Sequence, residues 1–225
     1  MHNVNSVETR YDPKGDPYGD AIYTEPEASA DTLSMLGPLR VMAGTWEGVA
    51  GIDVHPFVDG TEQNTYFERY DLAAIDRQTN GPQLFYGLRY HTHIVKVGEI
   101  ETFHDQVGYW LWEPATDTVT FSLSIPRGQT LLASGHADVQ SKKFEVTAEL
   151  GSQHYGILSN PFLDRAFKTI RFRISVSIHD DNHWSYEQET LLRIPGESQL
   201  FAHTDRNSLR RLSGPVPNPL TSHRR

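Results

Sequence analysis

Histidine is the residue type whose number and spacing in this sequence most suggest chemistry. The chain has 11 histidines and no cysteine, so thiolate metal sites and disulfides are excluded. His91 and His93 lie two positions apart, which places both imidazoles on one face of a β-strand. Such a pair can bind zinc, copper or iron, although strand histidines are more often simply solvated. His104 follows on the next extended run, so a non-haem metal site built from these three histidines is one hypothesis.

A histidine near the C-terminus, His203, suggests a different chemistry. It shares one face of a short extended run with Phe201, and an imidazole that faces an apolar cavity is costly unless it bonds a partner. A backbone carbonyl would be one such partner, and the histidine would then be structural. Haem iron would be another, because the porphyrin supplies four ligands and favours apolar walls. The residues alone leave both alternatives open.

Composition and missing motifs exclude several classes of function. The sequence has no Gly-rich phosphate loop of Walker or Rossmann spacing, no Gly-x-Ser-x-Gly and no His-Glu-x-x-His. The net charge is −9 and no basic stripe precedes the last residues, so we expect no nucleic-acid partner. The N-terminal residues do not resemble a leader peptide, and no apolar run approaches membrane-spanning length. We therefore expect a cytoplasmic protein without a membrane partner.

Alternation of apolar and polar residues predicts an all-β fold. The clearest case is 169–179, where every second residue from Ile170 to Ile178 is apolar. Turn signals separate this run from nine others. The first of these ends near 54, and the other eight lie at 62–72, 84–95, 101–112, 118–125, 129–139, 142–150, 184–194 and 199–203. Ten runs at this spacing predict a ten-stranded antiparallel up-and-down β-barrel, wide enough to hold a small-molecule ligand.

The first strand of this barrel begins at Gly44-Thr45-Trp46-Glu47-Gly48, where we expect Trp46 to plug one end. Apolar residues recur every three positions just before it, which predicts a short helical lid over that end; they are Leu33, Leu36, Leu39 and Met42. The predicted domains are an irregular arm at 1–30, a barrel at 31–212 and a tail at 213–225.

Several segments resemble the nitrobindin family of haem-binding ten-stranded barrels, which are akin to fatty-acid-binding proteins. The resemblance covers about 36–212. Residues 39–48 are similar to the family's lid and Gly-x-Trp signature, and 103–109 to a segment that carries a cavity histidine. Gly128 and Gly135 match a glycine pair, and 200–209 is similar to the segment whose histidine ligates haem iron.

The sequence departs from the family at four places. Ala50 replaces a signature glycine, and His55-Pro56-Phe57 stands for Tyr-Pro-Thr. Residues 125–127 read Ile-Pro-Arg instead of Gln-Ser-Thr, and His203-Thr204 stands for His-Leu.

The resemblance implies that His203 is the proximal ligand of ferric haem b and that His104 lies in the cavity on the distal side. Phe57 and Ile125 would then lie next to the haem. The implied function is nitric oxide binding, with isomerisation of peroxynitrite to nitrate as a candidate activity. A homodimer is the candidate assembly. The alternative is a haem-free carrier of a fatty acid or another apolar ligand.

Overall fold

The structure, a computed structural model, describes residues 17–58 and 60–217, so most of the predicted arm and tail lies outside the described residues. Its strands, in chain order, are β1 (Gly44–Phe57), β2 (Gly60–Ala74), β3 (Gln78–Asn80), β4 (Gln83–Lys96), β5 (Thr102–Glu113), β6 (Thr118–Ile125), β7 (Gln129–His136), β8 (Lys143–Glu149), β9 (Ile157–Ser159), β10 (Lys168–Asp180), β11 (His183–Arg193) and β12 (Phe201–Ser213). Neighbouring strands pair antiparallel, and the pairing of β2 with β4 closes the sheet. Ten strands form the barrel, while β3 and β9 are short additions. The predicted ten-stranded antiparallel barrel is confirmed.

The last strand is much longer than the sequence predicted. We expected it at 199–203, but β12 continues to Ser213 and pairs with both β1 and β11. Two of its inward positions beyond His203 are polar, Asp205 and Asn207, and these break the apolar alternation. Hydrogen bonds inside the barrel satisfy both side chains, so the strand persists where its pattern fails.

The closed end of the barrel is built around Trp46, as predicted. The indole is fully buried, and its N–H donates to the carbonyl oxygen of Met42 at 2.7 Å. Met42 ends a short 3₁₀ helix (Gly37–Met42), whose buried side chains form the expected lid. Arg211 of β12 fastens this lid, because its guanidinium donates to the carbonyls of Val41 and Ala43 and lies 4.1 Å from the Trp46 ring. The lid is therefore held by contacts with both the first strand, β1, and the last strand, β12.

Aromatic side chains fill the half of the barrel next to the lid. Trp110 packs on Phe121 with ring centroids 4.2 Å apart, and Trp184 meets Trp46 edge to face at 5.9 Å. Such contacts leave no room for a ligand in this half. Any binding site must lie towards the opposite end, which we call the mouth.

The barrel wall is weakest between β7 and β8, which share a single register pair, Ser134 with Thr147. Towards the mouth, β9 pairs with the first residues of β7 in place of β8. A six-residue helix, α1 (Pro161–Ala166), follows β9, and the Asn160 side chain caps it by accepting from two backbone N–H groups. This added piece closes part of the gap. None of the helices in the described residues is long and apolar enough to cross a membrane.

Candidate functional site

A cavity of about 380 Å³ occupies the mouth half of the barrel. Its walls are largely apolar, with contributions from β4, β5, β6, β7 and β10; the main residues are Ile94, Phe103, Leu123, Ile125, Leu131 and Phe172. Leu163 and Phe167, in and just after α1, extend the apolar surface across the gap between β7 and β8. A volume of this size is in the usual range for cofactor and small-molecule pockets.

A buried carboxylate joins two histidines on one wall of this cavity. Asp53 of β1 accepts a hydrogen bond from Nε2 of His203 at 2.7 Å and another from Nδ1 of His55 at 2.6 Å. Asp53 is only 6% exposed. Burial would raise the pKa of its carboxyl, but the hydrogen bonds and charges of His203 and His55 outweigh burial and hold it below the usual value. Asp53 is therefore a carboxylate at neutral pH and can only accept.

An ionised Asp53 selects one tautomer of His203 when that imidazole is neutral. When Nε2 of a neutral imidazole carries the proton that it donates to Asp53, the lone pair is on Nδ1. A carboxylate that fixes the tautomer and orientation of a histidine is the usual support of a metal-binding imidazole. One oriented imidazole, apolar walls and a cofactor-sized volume fit the requirements of haem.

His104 of β5 also faces the cavity. Burial lowers the pKa of its imidazole, so the ring stays neutral, and its Nε2 lies 3.2 Å from Oε1 of Gln106. Gln106 in turn donates from Nε2 to the hydroxyl of Tyr90 at 2.7 Å. This chain of contacts fixes a neutral imidazole in the wall, where it can exchange hydrogen bonds with a ligand.

The floor between the cavity and the aromatic core contains two acidic side chains. Glu68 is 2% exposed and accepts three hydrogen bonds, from Thr92, Tyr186 and Asn207. Asp205 accepts from the hydroxyl of Tyr66, which also lies 3.0 Å from the hydroxyl of Tyr186. Burial raises the pKa of both carboxyls.

Gly51 leaves the space that the Tyr66 ring occupies in this floor, because a Cβ at position 51 would lie 2.1 Å from the ring.

The structure brings three of the four predicted haem-site residues to the cavity: His203, His104 and Ile125. The fourth, Phe57, is 57% exposed at the end of β1 and is not among the residues that line the cavity.

His91 and His93 lie on the outer wall, within hydrogen-bond distance of Asp105 and Thr102, whereas His104 faces inwards. In the part of the chain that the structure describes, no three acidic or histidine side chains are arranged to hold a metal ion. The three-histidine metal hypothesis therefore has no geometric basis.

Sequence reasoning missed Asp53, Tyr66 and Asp205 as residues of the site. A signal was present for two of them. Asp53 and His55 lie two residues apart on one strand, and so do His203 and Asp205, so each pair shares a face. Tyr66 had no such signal, because its role depends on pairing between distant strands.

Fold and site together define a β-barrel with a ligand-sized cavity, in whose wall a buried carboxylate holds two histidines. The model of the family described as "THAP4-like, heme-binding beta-barrel domain" matches residues 35–211, and the chain belongs to this family. This confirms the family that the sequence resembles.

The crystal structure of Rv2717c from M. tuberculosis is similar, with a TM-score of 0.58 and 22% sequence identity over 83% of this chain and 100% of that chain. At this identity the likeness concerns the fold alone. Comparison with curated proteins found no match.

Proposed function

We propose that this protein binds ferric haem b in the mouth half of the barrel and acts on reactive nitrogen species. Nitric oxide would be a ligand, and isomerisation of peroxynitrite to nitrate would be the candidate reaction. The proposal includes a cytoplasmic location, which suits a chain without cysteine. Its partner is a small molecule in the cavity, with a homodimer as the candidate assembly.

One observation carries the proposal: His203 lines the cavity and is held by a buried carboxylate. Asp53 takes the N–H of the imidazole and leaves a lone pair for an iron atom. Membership of a haem-binding family gives this imidazole a natural partner.

The residues around His203 would divide the remaining tasks. Haem iron would supply a coordination site for small nitrogen oxides. Ile94 and Leu123 would exclude water from the porphyrin faces, and His104 would offer a neutral imidazole to a molecule bound beside it. Asp53 would keep the ring of His203 from turning away.

A haem-free carrier of an apolar ligand is the second candidate, and the apolar walls favour it. Against it stand the buried carboxyls of Glu68 and Asp205, which such a ligand cannot use. A lone imidazole held by a carboxylate is likewise unnecessary for carrying a hydrocarbon chain.

The test is a haem titration of the wild type and His203→Ala, followed by the Soret absorbance. We expect tight binding by the wild type and loss of most binding in the variant, because the side chain that would hold the iron is gone. The matched control is His91→Ala, which removes an imidazole from the outer wall and should bind haem normally. Circular dichroism checks that the barrel is intact in each protein.

Unchanged haem binding in His203→Ala would contradict the ligand assignment. A wild type that binds no haem but takes up a fluorescent fatty acid would favour the carrier.

A further inference from the structure

Acidic and basic side chains are unevenly distributed along the depth of the cavity. Asp53 and Asp205 each lie four residues inside the mouth end of their strands, and Glu68 lies in the floor beneath the cavity. Arg127 lies in the turn between β6 and β7, at the mouth itself. It is the only lysine or arginine among the described residues that line the cavity. The cavity is therefore acidic inside and carries its one cation at the entrance.

Two contacts hold Arg127 in position. Its backbone carbonyl accepts from the Asn160 side chain at 2.7 Å, which ties the turn to the cap of α1. Its guanidinium donates to the carbonyl oxygen of Phe103 at 3.0 Å, across the edge of the mouth. One nitrogen of the guanidinium is engaged in this way, and an arginine side chain has five N–H donors in all.

Arg127 has no acidic partner within the described part of the chain. Arg165 and Arg193, near the same end of the barrel, have none either, but they do not line the cavity. Three other cations near the mouth are paired: Lys96 lies 3.5 Å from Glu62, Lys168 pairs with Asp164, and Arg171 pairs with Glu189. Those three cations are neutralised by the protein, whereas the charge of Arg127 is left for something else.

We propose that Arg127 is the anchor for a carboxylate of the cavity ligand. This inference rests on the proposed function, because it takes haem, which has two propionates, as the ligand. A guanidinium can meet a carboxylate with two parallel N–H···O bonds, which makes it a strong and oriented partner. A ligand carboxylate that entered first would lose its hydration and approach the carboxylate of Asp53, so this orientation is disfavoured. The ligand is therefore bound with its apolar body inside and its carboxylate at the mouth.

The charge of Arg127 also reaches the interior of the cavity. Burial is the main cause of the lowered pKa of His104, and the positive charge of Arg127 contributes to the same shift. A guanidinium that acts on an imidazole in the cavity wall is close enough to act on a ligand in the same space.

The test compares Arg127→Gln with the wild type in titrations with ferric protoporphyrin IX and with its dimethyl ester. Gln keeps much of the side chain but removes the charge. We expect the variant to bind the diacid about three- to tenfold more weakly and the diester as well as the wild type does. High salt should reduce the difference for the diacid, since the site is open to solvent. Arg89→Gln, on the exposed outer wall near the lid, is the control for a simple change in net charge.

A fatty acid presents the same carboxylate chemistry, so a second arm uses a fluorescent fatty acid and its methyl ester. Selective weakening of the fatty acid alone would identify a carrier that uses the same anchor.

Equal effects of Arg127→Gln on acid and ester, or no effect on either, would overturn the anchor while leaving haem binding by the wild type intact. A wild type that binds neither acid would refute the proposed function and the anchor together.

Discussion

Replacing Asp53 with asparagine would measure how much one buried carboxylate contributes to the orientation of His203. The carboxylate accepts from His203 and His55 at 2.7 and 2.6 Å. Hydrogen bonds to a charged group contribute about 1.5–3 kcal/mol each, so the two together contribute about 3–6 kcal/mol. Asparagine keeps one acceptor oxygen, worth about 1 kcal/mol, and turns an N–H group towards the other ring. Burying a neutral amide costs less than burying a carboxylate, which offsets part of the loss. We expect the free energy of unfolding to fall by about 1–3 kcal/mol.

Haem affinity should fall further, by about 10- to 100-fold, because the partner that orients the metal-binding imidazole is gone. The assays are urea unfolding and a haem titration of Asp53→Asn, His203→Ala and the double variant. A coupling of about 1 kcal/mol or more between the two sites would show that Asp53 acts through His203.

The pH dependence gives an independent check. The pKa of Asp53 is lowered in the folded protein, so its stabilisation is present above the ordinary value of 3.8 and is lost as pH falls through the folded value. The difference in stability between wild type and Asp53→Asn should therefore shrink below about pH 4. Strictly additive effects of the two substitutions, with a difference that does not depend on pH, would refute this reasoning.

Two further predictions concern the core and the floor of the cavity. Trp46→Ala should lower the free energy of unfolding by about 3–5 kcal/mol, because the indole is fully buried and bonded to Met42. Urea unfolding followed by circular dichroism measures it, and a loss below about 1 kcal/mol would contradict the plug. Glu68→Gln should become more stabilising as pH rises from 5 to 8. Burial raises the pKa of Glu68, so the wild type loses stability as pH rises above the ordinary value of 4.5, while glutamine does not titrate. Thermal unfolding across this range checks it. If the stability of Glu68→Gln relative to the wild type stayed constant or fell, ionisation of Glu68 would not destabilise the folded protein.

The sequence predicted most of the barrel because its strands obey a simple rule. In β10, inward positions from Phe172 to Ile178 are apolar and their neighbours are polar, so the period of two is visible without coordinates. The rule fails in β12, where Asp205 and Asn207 face inwards. A polar residue at an inward position looks like the end of a strand unless its partner is known. The partners, Tyr66 and Glu68, are more than 130 positions away.

The candidate site shows the same limit. His203 and His104 stood out because imidazoles in an apolar context need an explanation, and the structure places both on the cavity wall. The role of Asp53 depends on its contact with a histidine 150 positions later in the chain, which no local pattern encodes. The cavity contacts of Leu163 likewise follow from the weak β7–β8 pairing, a property of the assembled sheet.

The distribution of polarity within the cavity would set the orientation of any ligand that carries a carboxylate. A carboxylate ligand that entered deeply would meet Asp53 as an anion and the floor acids at short range, with no cation in the described wall below Arg127. Haem or a fatty acid would avoid this conflict if its apolar part occupied the interior and its carboxylate stayed at the entrance. Haem would in addition use His203, which lines the cavity and is held by Asp53. The charges would therefore set the orientation of either ligand, and His203 is the feature that favours haem over a fatty acid.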